Sequence, residues 1–90
     1  MIERRVKICN ELGLHARAAA KMVKLAGRFN SQITLQAEGR PPADGRSILS
    51  IVLLAAGRGT EVTLRAEGED EGEASKALVS LVESRFGEEK

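Results

Sequence analysis

The apolar residues of this 90-residue chain switch repeatedly between a spacing of two and a spacing of three or four. A spacing of two is typical of strands, and it occurs at Val6 and Ile8, from 33 to 37 and from 62 to 66. The helical spacing occurs in segments 16–26, 48–54 and 71–86. A further short segment at 40–42 contains two prolines, so it predicts a strand that can lie only at a sheet edge. The element order is therefore β-α-β-β-α-β-α.

This order predicts an α+β fold with two layers. Four short, mostly antiparallel strands would form one sheet, and three helices would cover one of its faces. No linker or internal repeat divides residues 1–90, so we expect a single domain. A domain of this size has little room for a closed cavity, and its functional site is expected at the surface.

Local signals predict the faces and ends of the helices. The apolar face of the first helix is predicted at Ala16, Ala19, Ala20, Val23 and Ala26, with the end near Gly27. Ser47 is a candidate N-cap for the second helix, which Gly57 or Gly59 would close. The third helix is predicted to begin at Asp70 or Glu71 and to end near Phe86, before a frayed tail at 87–90. Its buried stripe is predicted at Ala74, Ala77, Leu78, Leu81 and Val82.

Residues 13–20, Gly-Leu-His-Ala-Arg-Ala-Ala-Ala, place the only histidine of the chain at the start of the first helix. A helix start presents unpaired N–H groups and a partial positive charge. An anion beside His15 would therefore be held by the backbone amides of Ala16 and Arg17 and by the Arg17 guanidinium. The pattern predicts a histidine that accepts a phosphoryl group and passes it on. The alternative is that His15 only caps the helix or lies at the surface and takes no part in a reaction.

Composition argues against several other classes of protein. The 14 basic and 13 acidic residues nearly cancel, and no Trp or Tyr is present to stack on bases, so nucleic acid is not an expected partner. The single Cys9 cannot form an internal disulfide and is expected to be a small buried side chain. One histidine and one cysteine are too few to hold a metal, and we expect neither a metal nor a cofactor. No secretory leader or membrane-spanning stretch is found, which predicts a cytoplasmic protein with no membrane insertion.

Two motifs in this order resemble those of the HPr family, the histidine phosphocarriers of the bacterial phosphotransferase system. Residues 13–20 look like the active-histidine segment of that family, and residues 46–54, Arg-Ser-Ile-Leu-Ser-Ile-Val-Leu-Leu, look like its regulatory-serine segment. The resemblance extends from end to end and implies an open-faced β-sandwich. It also implies a monomeric carrier, not an enzyme, whose His15 takes a phosphoryl group from phosphoenolpyruvate-charged enzyme I. A sugar-specific or regulatory acceptor protein would then receive the group.

Three further roles follow from the residues and the resemblance together. Arg17 is expected to neutralise charge during transfer. The resemblance implies that Ser47 is modified by a serine kinase, although the N-cap role accounts for this serine equally well. Apolar residues on all sides of the second helix exceed what one core face can use, which predicts a docking surface for partners. We expect it to comprise Ala20, Lys24, Ile48, Leu49 and Val52.

Two alternatives from other classes remain. The chain could be a regulatory HPr-like or nitrogen-type paralogue that acts mainly by protein binding; intact His15 and Arg17 argue against a purely binding role. It could also be a small ferredoxin-like enzyme such as an acylphosphatase, but the phosphate-binding loop of such an enzyme is not found in the sequence.

Overall fold

The helices and strands follow one another in the predicted order. In a computed structural model that describes residues 1–90, the elements are β1 (Ile2–Lys7), α1 (Ala16–Ala26), β2 (Gln32–Ala37), β3 (Ala43–Asp44), α2 (Ile48–Leu53), β4 (Glu61–Glu67) and α3 (Glu71–Glu83). None of the helices has the length and apolar character that crossing a membrane requires.

The four strands form one sheet in the order β1-β4-β2-β3, and every neighbouring pair is antiparallel. The register places Val62 of β4 opposite Val6 of β1 and opposite Ala37 of β2. Strand β3 contains only two residues and lies at the edge. It follows the predicted segment 40–42 because two of those residues are prolines, which have no N–H to donate to a ladder.

One face of the sheet is buried under the helices and the other is open. Along β2 and β4 every second side chain enters the core, and β1 adds one; these residues are Val6, Ile33, Leu35, Ala37, Val62, Leu64 and Ala66. Helix α3 packs on β1 and β4, while α1 packs against α2 and α3. The open face carries polar side chains, including Arg65, which donates to Glu3 at 2.7 Å and to Gln36 at 2.8 Å. This arrangement confirms the open-faced sandwich.

The buried face of α1 differs from the predicted one. Its core residues are Ala18, Ala19, Met22 and Ala26. The prediction was wrong for Ala16, which is exposed, while Ala20 and Val23 are only half-buried. Alanines occur all around this helix and give little contrast between its faces. Met22 is the largest fully buried side chain of α1, so its volume decides the face that packs on the core.

The end of α2 also departs from the prediction. Neither Gly57 nor Gly59 closes the helix, because Ala55 adopts the left-handed conformation with φ at 53°. The Ala55 N–H donates to Val52, and the next residue, Ala56, is buried. The carbonyl of Ala56 accepts from the Leu14 N–H at 2.9 Å. Tertiary contacts at residue 56 thus force the turn at Ala55, two residues after the helix, against the preference of alanine.

The tail after α3 was predicted to be frayed, but the structure holds it against the domain. Arg85 and Phe86 both have positive φ, 59° and 56°, so the chain doubles back after the helix. Phe86 is 1% exposed, and its carbonyl accepts from the Lys21 ammonium of α1 at 2.5 Å. Burial of this aromatic ring anchors the segment that follows, which approaches the start of α1.

Candidate functional site

The loop between β1 and α1 is fixed by backbone contacts to the segment after α2. Leu14 is buried and its N–H donates to Ala56, while Gly13 has φ at 67°. A Cβ added to Gly13 would lie 2.5 Å from the Ala56 oxygen and 2.8 Å from the Gly57 Cα. Only glycine permits this approach, so Gly13 determines where the chain presents the next residues, Leu14 and His15.

His15 is the N-cap residue of α1. Its φ and ψ are −74° and 176°, and its Nδ1 accepts from the Arg17 N–H at 3.3 Å. The first helical hydrogen bond runs from the Ala19 N–H to the His15 carbonyl at 2.9 Å. The N–H groups of Ala16, Arg17 and Ala18 therefore precede regular helical bonding and point towards the helix start. The predicted surface position of His15 agrees with its side chain, which is 26% exposed.

The other ring nitrogen of His15 contacts a carboxylate from the tail. Nε2 lies 2.6 Å from Oε2 of Glu88, whose Oε1 accepts from the Asn10 side-chain amide at 3.0 Å. The hydrogen bond from His15 holds the pKa of the Glu88 carboxyl below its ordinary value, with a smaller contribution from Asn10 and against the effect of partial burial. Sequence reasoning missed Glu88, because 73 residues separate it from His15 and no local pattern links the two.

The partners of the two ring nitrogens assign the tautomer. Nδ1 faces a backbone N–H of Arg17, so it is an acceptor, while Nε2 faces the Glu88 carboxylate, so it carries the proton. The unprotonated, nucleophilic lone pair therefore lies on Nδ1, at the positive end of the α1 dipole.

Arg17 lies on the exposed side of the same site. Its guanidinium makes no hydrogen bond or ion pair with another protein group, which leaves its donors available to an incoming anion. An open cleft of about 430 Å³ runs past the ring. Its lining residues are Glu11, Leu12, His15, Arg17, Glu88, Glu89 and Lys90. The site is thus a surface cleft that a second protein can reach.

Large apolar side chains are exposed on α2, which packs against α1. Ile48, Leu49 and Leu53 are 43%, 67% and 65% exposed. Of the other residues predicted for docking, Lys24 is exposed, while Ala20 and Val52 are half-buried. Together with Leu53 they form the surface where we expect partners to bind, and we refer to Ala20, Lys24, Ile48, Leu49, Val52 and Leu53 as the docking surface. Leu53 was not among the predicted residues, although it lies four residues after Leu49 and therefore on the same face of α2.

Ser47 is the N-cap of α2, as predicted. Its Oγ accepts from the Ser50 N–H at 3.2 Å, and its own N–H donates to the Asp44 carbonyl at 3.1 Å. The side chain is half-buried and directly precedes Ile48 and Leu49 of the docking surface.

Comparison with known proteins gives a consistent result. Residues 2–84 match a family model described as the phosphotransferase-system HPr component phosphorylation site. Phosphocarrier protein HPr of Cupriavidus necator is 50% identical over 98% of each chain. Phosphocarrier protein NPr of Shewanella violacea is 42% identical over 97% of this chain and 94% of its own. The crystal structure of HPr-C-His from Thermoanaerobacter tengcongensis superposes with a TM-score of 0.93 at 47% identity, covering 100% of both chains.

Proposed function

This chain belongs to the HPr family of phosphocarrier proteins of the phosphotransferase system, and we propose that it carries the phosphoryl group on Nδ1 of His15. The observation that supports this most strongly is the His15 ring itself. Nδ1 accepts from the Arg17 N–H at the N-terminus of α1, and the side chain is 26% exposed. The donor would be phosphoenolpyruvate-charged enzyme I, and the recipient a sugar-specific or regulatory acceptor protein.

Phosphoryl transfer at this site needs groups that position the phosphoryl group and groups that offset its negative charge. The Nδ1 lone pair attacks phosphorus, and the bond from phosphorus to the donor breaks as the N–P bond forms. The Arg17 N–H, which now donates to Nδ1, turns to a phosphoryl oxygen, and the Ala16 N–H supplies a second backbone donor. The Arg17 guanidinium offsets the remaining charge from the solvent side. Because the Arg17 guanidinium is exposed, it stabilises the phosphorylated form only moderately. The phosphoryl group can therefore be released to an acceptor protein.

Partners would bind over the docking surface. Its exposed leucines provide an apolar centre, and Lys24 and Arg17 provide positive charge beside it. Donor and acceptor proteins must bind in turn and leave, so the contact is expected to be small and short-lived. The carrier is a substrate of its partners and not an enzyme. We further propose that it acts as a cytoplasmic monomer.

Ser47 is the proposed site of regulatory phosphorylation. A phosphate there would add roughly −1.5 to −2 charge beside Ile48 and Leu49 while remaining at the helix start, where negative charge is tolerated. An acidic partner surface would then be repelled without unfolding the domain. Incubation with an ATP-dependent serine kinase should label the protein but not Ser47→Ala, and the labelled form should accept phosphoryl groups more slowly. Label retained in Ser47→Ala would place the modification elsewhere.

The direct test of transfer is incubation with enzyme I and labelled phosphoenolpyruvate. The label should be acid-labile, as a phosphohistidine is, and should be absent from His15→Ala. Arg17→Ala should keep a native circular dichroism spectrum but transfer roughly tenfold more slowly or worse. Arg28→Ala, an exposed arginine just beyond the other end of α1, is the matched control and should behave like the unmodified protein. Acid-stable label, or label on His15→Ala, would contradict the proposal.

The similarity to phosphocarrier protein NPr supports a second candidate, a nitrogen-type or regulatory carrier with the same His15 chemistry but other partners. Competition between sugar-type and nitrogen-type enzyme I for this protein distinguishes the two. Faster charging by the nitrogen-type donor would favour the second candidate.

A further inference from the structure

We propose that Glu88 is a positioning residue that keeps a proton on Nε2 of His15 through both halves of the phosphoryl relay. This proposal rests on the transfer function proposed above. Its basis is the 2.6 Å contact between Glu88 Oε2 and Nε2, at the ring nitrogen opposite the proposed nucleophile. The Glu88 side chain is 16% exposed, so this is a largely enclosed carboxylate and not a passing surface contact.

The carboxylate is held on its other side by a buried amide. Asn10 is fully buried, and its Nδ2 donates to the Gly13 carbonyl at 2.8 Å as well as to Glu88. Both donors of that amide are thus committed, one to the loop that presents His15 and one to Glu88. The Asn10 Oδ1 is buried without a partner, a cost that the two donor bonds offset.

The backbone of the tail is fixed as well. Phe86 is buried, and its carbonyl accepts from the Lys21 ammonium. The Glu88 N–H donates to the Arg85 carbonyl at 2.9 Å. Two consecutive residues with positive φ, Arg85 and Phe86, are needed to direct the chain back to the site. A positive φ is unfavourable for any residue other than glycine, and the burial of Phe86 compensates for this conformational cost. The tail therefore delivers one carboxylate to one ring nitrogen.

The chemistry explains why a carboxylate is useful there. When Nδ1 forms its bond to phosphorus while Nε2 keeps its proton, the ring becomes positively charged, and Glu88 stabilises that charge as the buried aspartate does in a Ser-His-Asp triad. In the second half a nucleophile of the acceptor protein forms its bond to phosphorus as the N–P bond breaks, and the N–P electron pair returns to Nδ1. The ring then leaves as neutral imidazole, still protonated on Nε2. No proton enters or leaves the site in either half.

A different role, competition with the phosphoryl group, would predict the opposite result. A carboxylate that occupied the phosphate position would lie beside Nδ1 and the amides of α1, and its removal would speed transfer. Glu88 lies at Nε2, away from those donors. Removal of its side chain is therefore expected to slow transfer.

The first experiment observes the ring directly and needs no partner protein. Imidazole ¹⁵N shifts of His15 are measured in alkaline buffer, where imidazole is neutral, for the full chain and three variants. The unmodified protein should show one tautomer, protonated on Nε2. In Glu88→Ala both shifts should move towards a mixed-tautomer average, while Glu88→Gln, whose amide oxygen still accepts, should keep the original pattern. Glu83→Ala, an exposed glutamate at the end of α3, is the matched control and should change nothing.

The second experiment measures single-turnover transfer from phosphorylated enzyme I to the same proteins. Glu88→Ala should be slowed roughly tenfold, by analogy with the lower end of the loss when a metal-binding histidine is deprived of the group that orients it. Glu88→Gln, which keeps the hydrogen bond but not the charge, should fall between Glu88→Ala and the unmodified protein. Mixed tautomers in the unmodified protein, a Glu88→Gln pattern equal to that of Glu88→Ala, or undiminished transfer by Glu88→Ala would each overturn the proposal. If enzyme I fails to charge the unmodified protein although the shifts follow expectation, the transfer function is wrong and the ring assignment stands.

Discussion

Replacement of Gly13 by alanine tests how the fold presents His15. At this position φ is 67°, and the added Cβ would lie 2.5 Å from the Ala56 oxygen. Both atoms belong to backbone held in place, so no flexible side chain can move aside. The loop or the 56–57 segment must shift, and the hydrogen bond from Leu14 to Ala56 is weakened.

Two contributions set the loss of stability that we expect for Gly13→Ala. A side chain in the left-handed region costs about 1–2 kcal/mol. Displacement of the loop and loss of the Leu14 hydrogen bond add about 1–2 kcal/mol. The total, about 2–4 kcal/mol, should lower the midpoint of thermal unfolding by roughly 8–30 °C in a domain of this size.

Gly39 supplies the matched control. Its φ is 77°, but nothing lies within 4 Å of its added Cβ. Gly39→Ala therefore carries the conformational cost without the clash. In urea denaturation Gly13→Ala should be less stable than Gly39→Ala by about 1–2 kcal/mol, and only Gly13→Ala should also lose phosphoryl transfer. Equal stability of the two variants, or normal transfer by a folded Gly13→Ala, would refute the claim that this contact positions His15.

Three further predictions concern stability. Phe86→Ala should reduce the free energy of unfolding by about 3–5 kcal/mol, measured by urea titration, because the ring is fully buried; a loss below about 1 kcal/mol would contradict its anchoring role. Ser47→Ala should cost about 1 kcal/mol through loss of the cap on Ser50, and Ser47→Asp should restore most of it. The pKa of Asp70 is lowered chiefly by the Ser31 hydroxyl and then by the Asn30 N–H. Its stabilising contribution is therefore present above about pH 4 and lost as pH falls through the lowered value, so Asp70→Asn should flatten the stability profile in that acid range.

Features that depend only on residues close together in the sequence were predictable. The alternation from Ile33 to Ala37 identified the buried side of β2, and Ser47 before an apolar run identified the start of α2. The same holds for His15, because the histidine and the helix start are adjacent in the chain. Local backbone preference and side-chain periodicity are sufficient for such features.

Features that depend on distant residues were not predictable. Ala55 takes a left-handed conformation because Ala56 must meet Leu14, which no preference of alanine indicates. The pairing of Glu88 with His15 depends on the reversal at Phe86, where two residues other than glycine adopt positive φ. A tail of charged residues after a glycine is typical of a frayed end, and only the folded core shows where it is anchored.

The central claim is that the fold reserves Nδ1 of His15 for phosphorus and Nε2 for a proton. The most direct measurement is to charge ¹⁵N-labelled protein with enzyme I and phosphoenolpyruvate and to identify the ring nitrogen that couples to ³¹P. We predict coupling to Nδ1 alone, with Nε2 still protonated beside Glu88. Phosphorus on Nε2, or on any other residue, would contradict this account.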